Sequence, residues 1–123
     1  MGNLSDFNIE NNVLFKYTGS AENVVIPATV MKISSFAFSN DDHITNIEIP
    51  NSVKEIDDYA FSACKSLISV VIPSSVKEIG TSAFSDCSAL ADVIISDGVK
   101  KIGENTFNNC TALKCVEIPD SVP

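Results

Sequence analysis

Isoleucine recurs every 23 residues in this chain, at Ile26, Ile49, Ile72, Ile95 and Ile118. Proline follows at Pro27, Pro50, Pro73 and Pro119, with Ser96 as the exception. Valine stands four residues after each isoleucine (Val30, Val53, Val76, Val99, Val122), then come Ile33, Ile56, Ile79 and Ile102. Phenylalanine keeps the same step at Phe38, Phe61, Phe84 and Phe107. A fixed period of this length, held without insertion, predicts a solenoid in which each unit buries its apolar edge only against its neighbours.

One unit, residues 72–94, shows how a coil is built. Leu90, Val93 and Ile95 alternate with polar or outward positions, which predicts a short strand with one buried face. Pro73 has no N–H to give a ladder, so the strand before it must stop there. Val76 and Ile79 point inward from a second short extended segment. Gly80 then fits a chain reversal at positive φ, a role that falls to Asp57, Gly103 and, less comfortably, Ser34 in the other units. Residues 81–87 are too few for an independent helix but suffice for a helical turn opened by a small polar residue. Ala83 is small where backbone nears backbone. Phe38, Phe61, Phe84 and Phe107 should form one stacked column.

Residues 1–25 depart from the period. Residues 7–10, Asn11-Asn12 and residues 13–17 read as a hairpin with a two-residue turn, a cap for the exposed end of the core. The array proper then spans 26–123, with full units starting at 26, 49, 72 and 95 and a truncated fifth. Such a cut in mid-unit reads as a fragment of a longer array. The C-terminal end has no cap of its own, so fraying or self-association is expected there.

Sixteen acidic residues against eight lysines leave a formal charge of −8, and the chain has no arginine. Such a chain is repelled by phosphate backbones and lacks the bidentate fork that reads them, which argues against nucleic acid. The first six residues have neither the basic start nor the apolar stretch of a signal peptide, and no apolar run has the length of a membrane span.

The pattern Ile-Pro-x-Ser-Val-x-x-Ile-Gly-x-x-Ala-Phe-x-x-Cys-x-x-Leu-x-x-Val-x-Ile, as in residues 72–95, resembles the BspA-type leucine-rich repeat. Residues 7–26 also resemble the leader that precedes such arrays. The resemblance implies an α/β solenoid, a right-handed superhelix with a parallel sheet on its concave side. It also implies an extracellular or cell-surface protein of a bacterium or parasitic protist, of a kind that in some cases adheres to host matrix proteins or other cells. It carries no catalytic residues.

Cys64, Cys87 and Cys110 keep the period and take the column where other leucine-rich repeats often have asparagine, with Asp41 in the first unit. Coils about 4.8 Å apart lie within reach of a disulfide, but parallel side-chain vectors suit one poorly. The three read as reduced core thiols. Their spacing matches no zinc site. Cys115 breaks the period and falls on the strand face away from the core, as a reactive thiol or, more simply, a surface substitution.

Asp41-Asp42-His43 holds the one histidine. These residues could assist a metal or form a solvated turn, and the turn is the plainer reading, as it is for Asp57-Asp58. With no nucleophile elbow, partner base or glycine-rich phosphate loop, no catalytic apparatus is visible and neither cofactor nor metal is expected. Lys54-Glu55, Lys77-Glu78 and Lys100-Lys101 read as a solvated face.

The concave strands remain. Outward positions are Thr45, Asn46 and Glu48; Ile68, Ser69 and Val71; Ala91, Asp92 and Ile94; Lys114, Cys115 and Glu117. Ile68, Val71 and Ile94 are expected to form an apolar patch rimmed by Asn46, Asp92 and Glu117. The resulting expectation is a non-catalytic adhesion or protein-interaction module. Its partner would be a host or neighbouring-cell surface or matrix protein, or a glycan. The alternative is a spacer array with no ligand of its own.

Overall fold

Successive coils meet along two sheets, and in both the paired residues of neighbouring coils are one period apart. The computed structural model describes residues 4–122, with Cys115 described in its backbone only. A 3-10 turn at Leu4–Asp6 precedes β1 (Phe7–Glu10), β2 (Val13–Tyr17), β3 (Asn23–Val25) and β4 (Lys32–Ile33). The coils that follow contribute β5 (Asn46–Glu48), β6 (Glu55–Ile56), β7 (Ser69–Ile72), β8 (Glu78–Ile79), β9 (Asp92–Ile95), β10 (Lys101–Ile102) and β11 (Cys115–Glu117). One sheet runs β3-β5-β7-β9-β11 and the other β1-β2-β4-β6-β8-β10. All pairings are parallel except β1–β2, with registers such as Asn23↔Asn46, Ser69↔Asp92 and Lys32↔Glu55. The solenoid expected from the period is what the chain forms.

The alternation in each strand explains its orientation. In β9, Val93 and Ile95 are buried while Asp92 and Ile94 are exposed, as period-two geometry requires. The one missing proline has a visible effect. Ser96 keeps an N–H and donates it to the Ile72 carbonyl at 3.0 Å, so the ladder between these two coils runs one bond further than a proline there would allow.

Two expectations about the reversal need correction. Residues 81–87 form no helical turn, and the helical part of the α/β expectation is absent among the described residues apart from Leu4–Asp6. In the second unit the equivalent segment makes three overlapping turns: Ala60 N–H to Asp57, Ser62 N–H to Tyr59 and Cys64 N–H to Phe61, at 3.2–3.3 Å. The intervening amides point to the next coil, Tyr59 to Thr81, Phe61 to Ala83 and Ala63 to Ser85, at 2.7–3.0 Å. A helix would draw these amides into its own i→i−4 bonds and unstitch the coils.

Gly80, moreover, is not at positive φ. The left-handed positions come two and six residues later, at Phe36 and Asn40, Tyr59 and Ala63, Ser82 and Asp86, Asn105 and Asn109, with φ between 55° and 64°. They fit the third place of a type II turn. Glycine is required at 80 for proximity: a Cβ there would lie 2.5 Å from the Asp58 amide nitrogen and 2.6 Å from the Asp57 carbonyl carbon.

The core is a set of columns. Phe38, Phe61 and Phe84 are wholly buried and their rings stack at 4.8 and 5.0 Å, within 5° of parallel. Phe107 continues the stack at 5.9 Å but is only partly buried. Ala37, Ala60 and Ala83 form a second column, filled in the fourth unit by Thr106, whose hydroxyl donates to the Gly103 carbonyl at 2.6 Å.

At the N-terminal end, Asn11 and Asn12 take φ of 50° and 66°, the signature of a type I′ hairpin turn. Asn8 pairs with Lys16 but Ile9 with Leu14, so Phe15 is an extra residue in β2. That bulge lets Leu14 and Tyr17 both face inward. Tyr17 stacks on Phe7 at 5.0 Å and on Phe38 at 5.3 Å, closing the phenylalanine column. β2 also pairs in parallel with β4, which makes the hairpin a structural member of the second sheet.

Candidate functional site: the outer face of the five-stranded sheet

The sheet β3-β5-β7-β9-β11 carries two outward columns. The first reads Asn23, Asn46, Ser69 and Asp92; Cys115 follows in register, but its side chain lies outside the described residues. The Asn46 amide donates to Asn23 Oδ1 at 3.2 Å, and the Ser69 hydroxyl to Asn46 Oδ1 at 3.4 Å. The second column reads Val25, Glu48, Val71, Ile94 and Glu117. Val71 and Ile94 are register partners and about half exposed, 53% and 49%, so they stand side by side as an aliphatic ridge. Ile68 is exposed at the head of β7, three residues before Val71. Lys114 and Glu117 are exposed on the last coil, while Thr45 and Ala91 are partly covered.

The ridge is flanked by two shallow depressions. One, of about 330 Å³, lies between β5 and β7 against Asn46, Glu48, Asn51, Val71 and Pro73. These strands pair only at Asn46↔Ser69, whereas β3–β5 has three pairs and β7–β9 four. The ladder is therefore open beside Glu48 and Val71. The other depression, of about 240 Å³, lies against Asp92, Ile94 and Glu117. Sequence reasoning began this face at the second coil and missed Asn23 and Val25. Their signal was the period itself, since Val25 lies 46 residues before Val71.

Other candidate groups have structural partners. Asp41 Oδ1 accepts the amides of His43 at 2.8 Å and Ile44 at 3.0 Å, which holds the turn. Asp57 accepts the Asp58 amide and Asp58 the Thr81 amide, both at 2.8 Å. Among the described residues no cluster of three or more His, Cys, Asp or Glu is placed to hold a metal ion. The cross-coil ion pairs run from Lys32 to Glu55 at 3.9 Å and Asp57 at 3.5 Å, on partly exposed side chains, where each contributes about 0–1 kcal/mol. Among the described residues Lys54 and Lys77 form no such pair.

The thiols of Cys64, Cys87 and Cys110 are free, and each donates to a carbonyl of the preceding coil, Phe38, Phe61 and Phe84, at 3.1–3.2 Å. The neighbouring Cys87 thiol and burial push Cys64 well above the ordinary thiol range, while the Cys64 thiol draws Cys87 down. Burial pushes Cys110 up to about 11. A folded-state value above the unfolded one means the unfolded chain releases its proton first as pH rises. The Cys110 contribution to stability is therefore expected to be full below the ordinary thiol range and to be lost towards pH 11. Across that window the thermal midpoint of the parent should lose ground relative to that of Cys110→Ala; an identical slope in the two would contradict the assignment.

A family model described as the BspA type leucine rich repeat region matches residues 7–123 in six copies. This chain belongs to the BspA-type leucine-rich repeat family. The match takes in the hairpin as well as the periodic units. Solved leucine-rich repeat proteins share the fold. A leucine-rich repeat protein of Bacteroides ovatus superposes with a TM-score of 0.79 at 35% identity, covering 89% of this chain and 30% of that one. A leucine-rich repeat protein of T. pallidum gives 0.74 at 26% identity, covering 96% and 71%. A leucine rich cell surface protein of Faecalibacterium prausnitzii gives 0.70 at 32%, covering 94% and 41%. The BspA-type array thus spans less than half of two of these proteins. No curated protein matches it in sequence.

Proposed function

We propose that this array is a non-catalytic protein-interaction module of a cell-surface protein, engaging its partner through the outer face of the five-stranded sheet. The observation that carries the reading is the Val71–Ile94 ridge, two half-exposed aliphatic side chains held side by side on a rigid ladder. An apolar strip with a polar border is the composition of an interface centre. The similarity to a leucine rich cell surface protein supports the location. With no tryptophan or arginine among its residues, a single copy lacks two of the usual interface anchors. Adhesion would then come from many weak contacts acting together.

Purified protein would be screened against immobilised fibronectin, fibrinogen, other matrix proteins and glycans, singly and in multivalent display. Saturable binding is expected to fall at least about tenfold in Val71→Asp/Ile94→Asp, the scale of one lost interface contact of roughly 1.4 kcal/mol. Both side chains are half exposed, so circular dichroism should report an intact fold. Binding that survives the double substitution would remove the face from consideration. Silence of the multivalent form towards every ligand would favour a spacer.

A further inference from the structure

We infer that the occupant of this face is an extended, basic segment of a partner protein, with cationic residues four apart and an apolar residue midway between them. The inference rests on the interaction reading above and names the chemistry of its partner. Down the second outward column the order is Glu48, Val71, Ile94, Glu117, one residue per coil. Glu48 and Glu117 are exposed, and neither makes an ion pair with a described residue. Asp92 adds a third exposed carboxylate beside Ile94, and Lys114 is exposed just before β11. Glutamates thus flank the aliphatic pair on both sides, with Val25 beyond Glu48.

The spacing selects the conformation of the partner. Strands in a closed ladder are about 4.8 Å apart, so three steps separate Glu48 from Glu117 by at least about 14 Å, with the Val71–Ile94 seam between them. An extended segment advances about 3.3 Å per residue, which puts same-side residues i and i+4 about 13 Å apart and i+2 over the seam. Same-face residues of a helix recur at about 5–6 Å, then about 10 and 16 Å, a coarser match that also hides the helix's backbone from the polar column. A neutral glycan supplies no cation for them. This chain does not supply the segment to a second copy, since none of its eight lysines is followed four residues later by another basic residue. Asn46, Ser69 and Asp92 line one side of the track and offer hydrogen bonds to a peptide backbone.

The test uses peptides containing Lys-Thr-Leu-Thr-Lys, displayed multivalently on a surface, with the whole protein in solution. Controls replace leucine by serine, replace both lysines by glutamate, or bring the lysines two residues apart. Binding of the parent peptide is expected to exceed every control at least fivefold, and to weaken steeply from low to near-molar salt as charges are screened. Glu48→Gln/Glu117→Gln should lower it at least fivefold, and Glu55→Gln/Glu78→Gln, on the other sheet, should leave it unchanged. Equal binding of the glutamate peptide, equal effects of the two double variants, or no binding of the parent peptide would overturn the inference. If matrix-protein binding is still lost in Val71→Asp/Ile94→Asp, the interaction reading survives that failure. If that variant is silent too, both readings fall.

Discussion

Phe84→Ala is expected to lower stability by about 3–5 kcal/mol, the range for truncating a buried phenylalanine. Its ring is wholly buried and has a stacked neighbour on each side, Phe61 at 5.0 Å and Phe107 at 5.9 Å. The cavity left behind cannot close readily. The coils on either side are held by amides that cross between them, including Phe84 N–H to the Thr106 carbonyl at 3.0 Å. Phe107→Ala should cost clearly less, because Phe107 is only partly buried at the end of the column. Chemical denaturation of the two variants checks both values, and a loss under roughly 1 kcal/mol at Phe84, the surface level, would contradict the stacked column.

Tyr17→Ala is expected to cost a similar amount, about 3–5 kcal/mol by the same cavity argument. This ring links the hairpin to the array, stacking on Phe7 from the first strand and Phe38 from the first coil. Its hydroxyl accepts the Ala21 amide at 3.3 Å, so truncation also leaves that amide without its partner. Tyr17→Phe separates the two effects and should cost only about 1 kcal/mol, the scale of one hydrogen bond. A solenoid whose end is uncovered exposes the next layer of its core. The alanine variant should therefore also expose apolar surface to a reporter dye before it unfolds. A variant as stable as the parent would mean that the hairpin is not a cap.

Much of the fold was legible because the period places every coil in register. Ile72 and Ile95, or Ile56 and Ile79, are paired in the sheets as they are in the repeat. Asn11-Asn12 announced the hairpin because few residue pairs tolerate two left-handed conformations in succession. What stayed hidden depends on how coils bond to one another. The choice between a helical turn and a chain of overlapping tight turns is decided by amides such as that of Phe61, which reach the next coil, and local sequence does not show that. Gly80 was legible as glycine but not for its reason, which is the nearness of Asp58.

The same limit hid Phe36 and Tyr59. Both are exposed, both sit at left-handed φ, and their rings stack at 5.1 Å within 4° of parallel. The two later units place Ser82 and Asn105 at the equivalent position, and asparagine in particular accepts that backbone more readily than a bulky ring does. On the candidate face, alternation alone placed Asn46, Glu48, Val71, Asp92, Ile94 and Glu117 outward. The open ladder between β5 and β7 carries no sequence signal, because Asn46-Ile47-Glu48 and Ser69-Val70-Val71 both read as ordinary strands.

The face assignment is tested most directly by comparing matched double substitutions on the two sheets against one matrix ligand. Val71→Asp/Ile94→Asp alters the five-stranded face, and Glu55→Lys/Glu78→Lys alters the other. A loss of at least about tenfold in the first pair alone, one contact's worth of free energy, is the predicted result. Equal losses in both pairs, or retention in the first, would contradict it.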